Sequence, residues 1–140
     1  MLRKDAEKMI GKVVCCWTGL RGSYVGELIE LYGSPWRGKV KILSVIEYPV
    51  QGLSQNRMGF FARKPFNYGE IKDFGNGNIQ LYEGVVLPYE KSLLSSLKQK
   101  IQSLQEYIKR SRTSPLNTPC GIEVKALDIL DQRLKEIENV

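Results

Sequence analysis

The stretch NIQLYEGVVLPYEKSLLSSLKQKIQSLQEYI, residues 78–108, changes its hydrophobic period at Pro88. The residues before the proline are rich in apolar side chains, and we predict a final strand over 78–87. After it, apolar residues recur every three or four positions, which indicates an amphipathic helix. They are Leu94, Leu97, Ile101, Leu104 and Ile108. Because proline cannot extend a central strand but fits a first helical turn, we predict a helix from Pro88 to about Ser111.

A second helical stripe follows a polar break that contains two prolines, residues 111–121. Its apolar positions are Leu127, Leu130, Leu134 and Ile137. Two such helices predict an antiparallel hairpin over residues 88–140. Since a lone hairpin buries only one side of each helix, we expect it to dock on the rest of the chain or on another copy, and we expect at least a homodimer.

The part before Pro88 has the pattern of a small β domain, residues 1–87. A short helix is predicted over 2–10, with Gly11 as its stop. Strands rich in branched and aromatic residues are predicted over 12–18, 24–32 and 38–50, and a loop-rich stretch with short strand candidates follows. The expected fold class is α+β, with a small antiparallel β-sheet or barrel and a C-terminal antiparallel helical hairpin.

The amino-acid composition argues against several classes of catalytic and metal-binding function. The 140 residues carry a net charge of +6 and include no histidine, the commonest general base and metal ligand. The three cysteines have no CxxC spacing, and the usual nucleotide-hydrolysing and dehydrogenase motifs are absent from the sequence. We therefore expect a protein that is not an enzyme and has no metal or cofactor. With no membrane-length apolar run and no signal core, we expect it to be cytoplasmic.

Positive charge is concentrated in two segments. Residues 36–64 contain six cations and one acid, and residues 98–112 contain five cations and one acid. Aromatic residues are interleaved with both segments, a combination that suits a partner with phosphates and flat rings. The expected ligand is a small anionic nucleotide; a solvated face that keeps the protein soluble is the simpler interpretation.

The segment TGLRGSYVG, residues 18–26, has two interpretations. As structure, it is a hairpin connection in which glycines permit positive φ. As a site, its glycines let backbone amides approach an anion, while Arg21 and Tyr24 donate hydrogen bonds to a phosphate. Both interpretations are compatible, because binding residues often lie on turns of a rigid scaffold.

Two resemblances extend this hypothesis. The sequence IGKVV, the glycine turn, VGELIEL and a late GNI resemble small barrels of the Sm-like and KOW-like kinds, which implies RNA binding. The whole layout, a β region followed by two long helices, resembles the first family of phage anti-Thoeris proteins. That resemblance implies a sponge that sequesters a cyclic ADP-ribose isomer or a cyclic oligonucleotide. The candidate ligand-binding residues are Arg21, Tyr24, Arg57, Phe60, Phe61, Arg63, Tyr107, Arg110 and Arg112.

Two other functions remain open from the sequence. A nucleic-acid-binding barrel with a helical dimerisation arm would present a continuous basic stripe and bind in a strongly salt-dependent way. A pure interaction module would dock a peptide on the barrel and set its oligomeric state with the hairpin. In that last case, replacing Arg57 and Arg112 by alanine should leave binding intact.

Overall fold

The computed structural model describes residues 2–53, 60–61, 63–113 and 121–138. It has the predicted α+β fold, an antiparallel sheet followed by two C-terminal helices. In chain order the elements are α1 (Arg3–Glu7), β1 (Val13–Trp17), β2 (Ser23–Tyr32), β3 (Arg37–Glu47), β4 (Gly52–Leu53), β5 (Phe60–Phe61), β6 (Ile71–Gly75), β7 (Ile79–Leu81), α2 (Tyr89–Thr113) and α3 (Gly121–Glu138). Single 3-10 turns occupy Gly19–Arg21 and Asn76–Asn78.

The main sheet has five strands in the order β6-β3-β2-β1-β7, and every pairing is antiparallel. Buried and less buried residues alternate along β1, as the period of a half-buried strand requires. The sheet curls strongly, because Ile79 of β7 approaches β3, which lies three strands away in the sheet. A Cβ at Gly38 would lie 2.6 Å from Cδ1 of Ile79 and 2.9 Å from Cδ1 of Leu28. Glycine at position 38 therefore makes the room that this curl needs.

The predicted final strand over 78–87 is wrong in its length. β7 ends at Leu81, and the amide of Tyr82 makes the last ladder bond, 3.1 Å to the carbonyl oxygen of Val13. Because β1 begins at Val13, the residues that follow Tyr82 have no further residue of β1 to pair with. After Tyr82, residues 83–88 belong to no strand or helix, and the backbone bends at Gly84.

The hairpin packs on the sheet through α2. The hydroxyl of Ser92 accepts a 2.9 Å hydrogen bond from the amide of Val45, and Lys100 Nζ lies 3.6 Å from a carboxylate oxygen of Glu47. The stripes of the two helices form a second core with Tyr48. Its fully or largely buried members from the helices are Leu97, Ile101 and Leu130. Most of each stripe is thus covered within one chain, although Ile137 at the end of α3 is 36% exposed.

Candidate functional site

The glycine-rich turn of residues 18–26 is shaped by contact with the end of β3. Gly22 has a φ of +95°, and a Cβ there would lie 2.5 Å from the carbonyl oxygen of Glu47. Both the left-handed backbone and the close approach require glycine. The turn is also joined to the segment after β3 by a 3.0 Å hydrogen bond from the amide of Val50 to the carbonyl oxygen of Leu20.

Tyr24 lies in the core rather than on the surface of this turn. Its ring stacks on Phe66 with centroids 4.8 Å apart. Its hydroxyl donates to the carbonyl oxygen of Arg21 and accepts a 3.2 Å hydrogen bond from the amide of Phe66. Burial raises the pKa of Tyr24. In this structure the side chain joins the turn to the segment before β6, a structural role that sequence reasoning did not assign to it.

Arg63 is held by the segment that follows β3. Its Nη1 donates a 2.8 Å hydrogen bond to the carbonyl oxygen of Val50. Its backbone amide and carbonyl oxygen both bond to the side-chain amide of the buried Gln51, at 3.0 Å and 2.7 Å. Val50 therefore links Arg63 to Leu20 of the glycine-rich turn, the residue before Arg21.

Arg133 of α3 completes this cluster. Its Nη1 donates 2.8 Å hydrogen bonds to the hydroxyl of Tyr48 and to the carbonyl oxygen of Arg63, and its guanidinium carbon lies 5.9 Å from the Tyr48 ring centroid. We call Tyr48, Gln51, Arg63 and Arg133 the arginine–tyrosine cluster. It fastens α3 to the segments on either side of the β4–β5 pair. Sequence reasoning missed Tyr48, Gln51 and Arg133, because nothing in their local pattern indicates which distant carbonyl a guanidinium will reach.

The remaining predicted residues lie elsewhere. Arg21 is exposed on its 3-10 turn, and Tyr107 and Arg110 are exposed on α2. At 1.5 Å rise per residue, Arg110 is about 27 Å along the helix from Ser92, where α2 is bonded to the sheet. Arg57 and the side chains of Phe60, Phe61 and Arg112 lie outside what the structure describes. Of the predicted residues, the structure joins Tyr24 to the backbone of Arg21, and it connects Arg63 to the same turn through Val50 and Leu20. The use of all nine residues as ligand contacts stays a prediction.

An apolar strap, which we define as residues 81–88, connects β7 to α2. Its exposed apolar side chains are Leu81, Val85, Val86 and Leu87, with Val85 79% exposed. Within the described part of the chain, no backbone hydrogen bond joins residues 83–87 to another segment. The apolar run GVVLP, residues 84–88, is visible in the sequence. Its apolar residues indicated a strand, however, and not an exposed segment.

The strap has a defined shape despite its exposure. The hydroxyl of Tyr82 donates a 2.9 Å hydrogen bond to the carbonyl oxygen of Val85. The Tyr82 side chain folds against Gly84, where a Cβ would lie 2.6 Å from the hydroxyl oxygen. Exposed apolar side chains beside a backbone that, over residues 83–87, is bonded to no other described segment have the properties of a protein-docking surface.

Other chemistry finds little support in the described residues. Cys16 is fully buried, and burial, with a smaller effect of the neighbouring Cys15, raises the pKa of its thiol to about 12, which does not favour a nucleophilic thiolate at this position. Among the residues that the structure describes, no group of three or more histidines, cysteines or carboxylates could hold a metal ion. No helix in the described ranges is long and apolar enough to span a membrane.

Comparisons with known proteins identify a relative. A family model described as kinase associated protein B (KapB) matches residues 20–118. The chain is also similar to the crystal structure of kinase-associated protein B from Bacillus cereus, with a TM-score of 0.70 and 26% identity over 92% of this chain and 96% of that one. A comparison with curated proteins finds no match.

These matches correct the expected function. The resemblance to the phage anti-Thoeris sponges, and the nucleotide-sequestering function that it implied, are wrong. They rested on the order of a β region and two long helices, a layout that unrelated families share. The family match also replaces the resemblance to Sm-like and KOW-like barrels, and the nucleic-acid alternative gains no support from it.

Proposed function

The chain belongs to the kinase-associated protein B family, and on that premise we propose that it binds a kinase as a protein partner and performs no chemistry of its own. The observation that carries the proposal is the match to this family over residues 20–118. The family is described as kinase-associated. Binding of one protein to another requires a surface, and the apolar strap is the best candidate in the described residues.

The exposed apolar area of the strap supports the proposal that the chain binds a kinase. Val85, Val86 and Leu87 stand in sequence, and each is at least 39% exposed. Burying a side chain of this kind fully contributes about 1.5 to 3 kcal/mol, so two or three of them can anchor an interface. Their unpaired backbone can in addition pair with an extended segment of the kinase.

The shape of the strap adds to its suitability. The bond from the hydroxyl of Tyr82 to the carbonyl oxygen of Val85 restrains the segment before any partner binds. Pre-organisation lowers the conformational entropy that binding must overcome. Pro88 and the start of α2 at Tyr89 restrict the other end of the strap.

The experiment that tests the proposal is site-specific photocrosslinking in cells of the chain's source organism. The photoreactive residue p-benzoylphenylalanine replaces Val85 in one variant and Ile10 in a control, since both side chains are exposed. We expect a kinase adduct from position 85, identified by mass spectrometry and then reproduced with the purified kinase. A kinase adduct from other surface positions but not from 85 would contradict only the assignment to the strap. Absence of any kinase adduct, together with no binding to purified kinases, would contradict the proposed function.

Three expectations from the sequence accompany this proposal. The chain is cytoplasmic, it forms at least a homodimer, and it consists of a small antiparallel β domain over 1–87 and a two-helix hairpin over 88–140. Cell fractionation tests the first expectation, and light scattering of the purified protein tests the second. Separate expression of the two parts tests the third.

A further inference from the structure

A cleft of about 450 Å³ opens between two turns at one end of the sheet. One turn joins β2 to β3, and the other is the 3-10 turn Asn76–Asn78 that joins β6 to β7. The cleft shares no residue with the apolar strap, which begins at Leu81, three positions after Asn78. The residues that line it are Gly33, Ser34, Pro35, Trp36, Arg37, Gly75, Asn76, Gly77 and Asn78.

The walls of the cleft are suited to the main chain of a peptide. Three of the lining residues are glycines, which leave backbone amides and carbonyls accessible. A Cβ at Gly77 would meet no atom within 4 Å, so the space beside it is open. Asn76 and Asn78 add side-chain amides, each of which can both donate and accept hydrogen bonds. Trp36, only 5% exposed, provides an apolar base.

Arg37 gives the cleft its charge. It is exposed, and among the described residues that line the cleft it is the only charged one. Its Nε donates a 3.3 Å hydrogen bond to the hydroxyl of Tyr32, and its Nη1 lies 3.5 Å from where a Cβ of Gly75 would be. In the described part of the chain, no carboxylate lies within 4.0 Å of its guanidinium. The guanidinium is thus oriented by its neighbours while its charge is left uncompensated.

A second positively charged residue, Arg3, lies at the edge of the cleft. Nη1 of Arg3 donates a 3.1 Å hydrogen bond to the carbonyl oxygen of Gly33. Part of the Arg3 charge is offset by Glu7, whose carboxylate lies 3.6 Å from its Nε. The field at the cleft is therefore positive, with Arg37 as its centre.

We infer that this cleft binds an extended peptide segment of a protein partner through an aspartate or glutamate side chain that pairs with Arg37. An arginine can hold a carboxylate with two parallel hydrogen bonds, and this geometry distinguishes a carboxylate from a neutral amide. The glycine walls and the two asparagines bond to the peptide main chain. This inference goes beyond kinase binding by the strap, since it assigns a second surface with its own chemistry.

A titration with defined peptides tests the inference without any kinase. The probe is the peptide Ac-GEPEPEG-NH2, whose prolines favour an extended conformation, and its matched control is Ac-GQPQPQG-NH2. Amide signals of the ¹⁵N-labelled full chain report where each peptide binds. We expect shifts confined to residues 33–37 and 75–78, and an affinity at least about tenfold higher for the glutamate peptide.

Two variants and a control locate the site. Arg37→Gln removes the charge, and Gly77→Val fills the open space beside the 3-10 turn; each should weaken binding about tenfold or more. Lys109→Gln removes an exposed charge from α2 and should change nothing. Signal dispersion in each spectrum shows that the variant is folded. Equal binding of the two peptides, shifts elsewhere on the surface, or no shifts at millimolar peptide would overturn the inference, while leaving kinase binding by the strap intact.

Discussion

The guanidinium of Arg133 on α3 donates a 2.8 Å hydrogen bond to the hydroxyl of Tyr48, which lies 85 residues earlier in the chain. The same nitrogen donates to the carbonyl oxygen of Arg63. Replacing Arg133 by methionine removes both bonds and leaves two acceptors without this partner. We expect Arg133→Met to lower the free energy of unfolding by about 1 to 3 kcal/mol, measured by urea denaturation. Lys135→Met on the same helix, an exposed position, should change it by less than about 1 kcal/mol. Equal effects would show that the cluster does not stabilise the docked hairpin.

The curl of the sheet makes a prediction at Gly38. A methyl group there would overlap the side chains of Ile79 and Leu28. Overpacking of a core lowers the free energy of unfolding by about 1 to 3 kcal/mol. We therefore expect Gly38→Ala to lower the midpoint temperature of thermal unfolding. Gly77→Ala, where a methyl group meets no atom within 4 Å, is the matched control and should leave the midpoint nearly unchanged. If Gly38→Ala were as stable as the control, the close approach of β3 and β7 would be wrong.

Stability should fall at high pH because of buried tyrosines. Burial, followed by the effects of Tyr48 and Glu70, raises the pKa of Tyr89 to about 12 in the folded protein, from an ordinary value of about 10. Burial likewise raises the pKa of Tyr24. A raised folded-state pKa means that the unfolded chain loses its protons first, so the stabilisation is complete below pH 10 and is lost as pH rises towards 12.

Urea midpoints measured from pH 8 to pH 12 check this dependence. Tyr24→Phe should be less stable at neutral pH, because two hydrogen bonds are lost, but its decline above pH 10 should be shallower. Tyr68→Phe, at a position that is 63% exposed, should follow the wild-type curve. A Tyr24→Phe variant with the full wild-type decline would exclude Tyr24 as a contributor.

The shape of the strap makes a prediction at Gly84. A Cβ there would lie 2.6 Å from the hydroxyl oxygen of Tyr82 and 2.7 Å from the ring carbon that carries it. Gly84→Ala should displace the Tyr82 ring and break its bond to Val85, which loosens the strap. We expect kinase affinity to fall severalfold while urea stability changes by less than about 1 kcal/mol. Unchanged affinity would show that the shape of the strap does not matter for binding.

The sequence predicted α2 well, but it predicted the strap poorly and made α1 too long, 2–10 against Arg3–Glu7. Stripes with a period of three to four depend only on nearby residues, so the start of α2 at Tyr89 was predicted to within one position. The length of β7 depends on its partner instead, since pairing stops where β1 begins at Val13. The composition of a run such as GVVL therefore does not indicate whether a neighbouring strand is available to pair with it.

The candidate surfaces were even less accessible to sequence reasoning. Arginine and aromatic residues indicated a ligand, yet Arg63 bonds to the carbonyl of Val50 and Tyr24 lies in the core. Whether a cation faces a partner or a backbone carbonyl is decided by tertiary contacts. The cleft around Arg37 depends on two turns that are about 40 residues apart, and no local pattern reports that they meet.

The affinity of the purified kinase for Leu87→Asp, compared with Ile10→Asp, tests the central claim most directly. The two positions are matched, since both side chains are 44% exposed and both variants add one negative charge. If the strap is the docking surface, calorimetry will show at least about tenfold weaker binding for Leu87→Asp and wild-type binding for Ile10→Asp. Equal affinities for the two variants and the wild type would contradict the account.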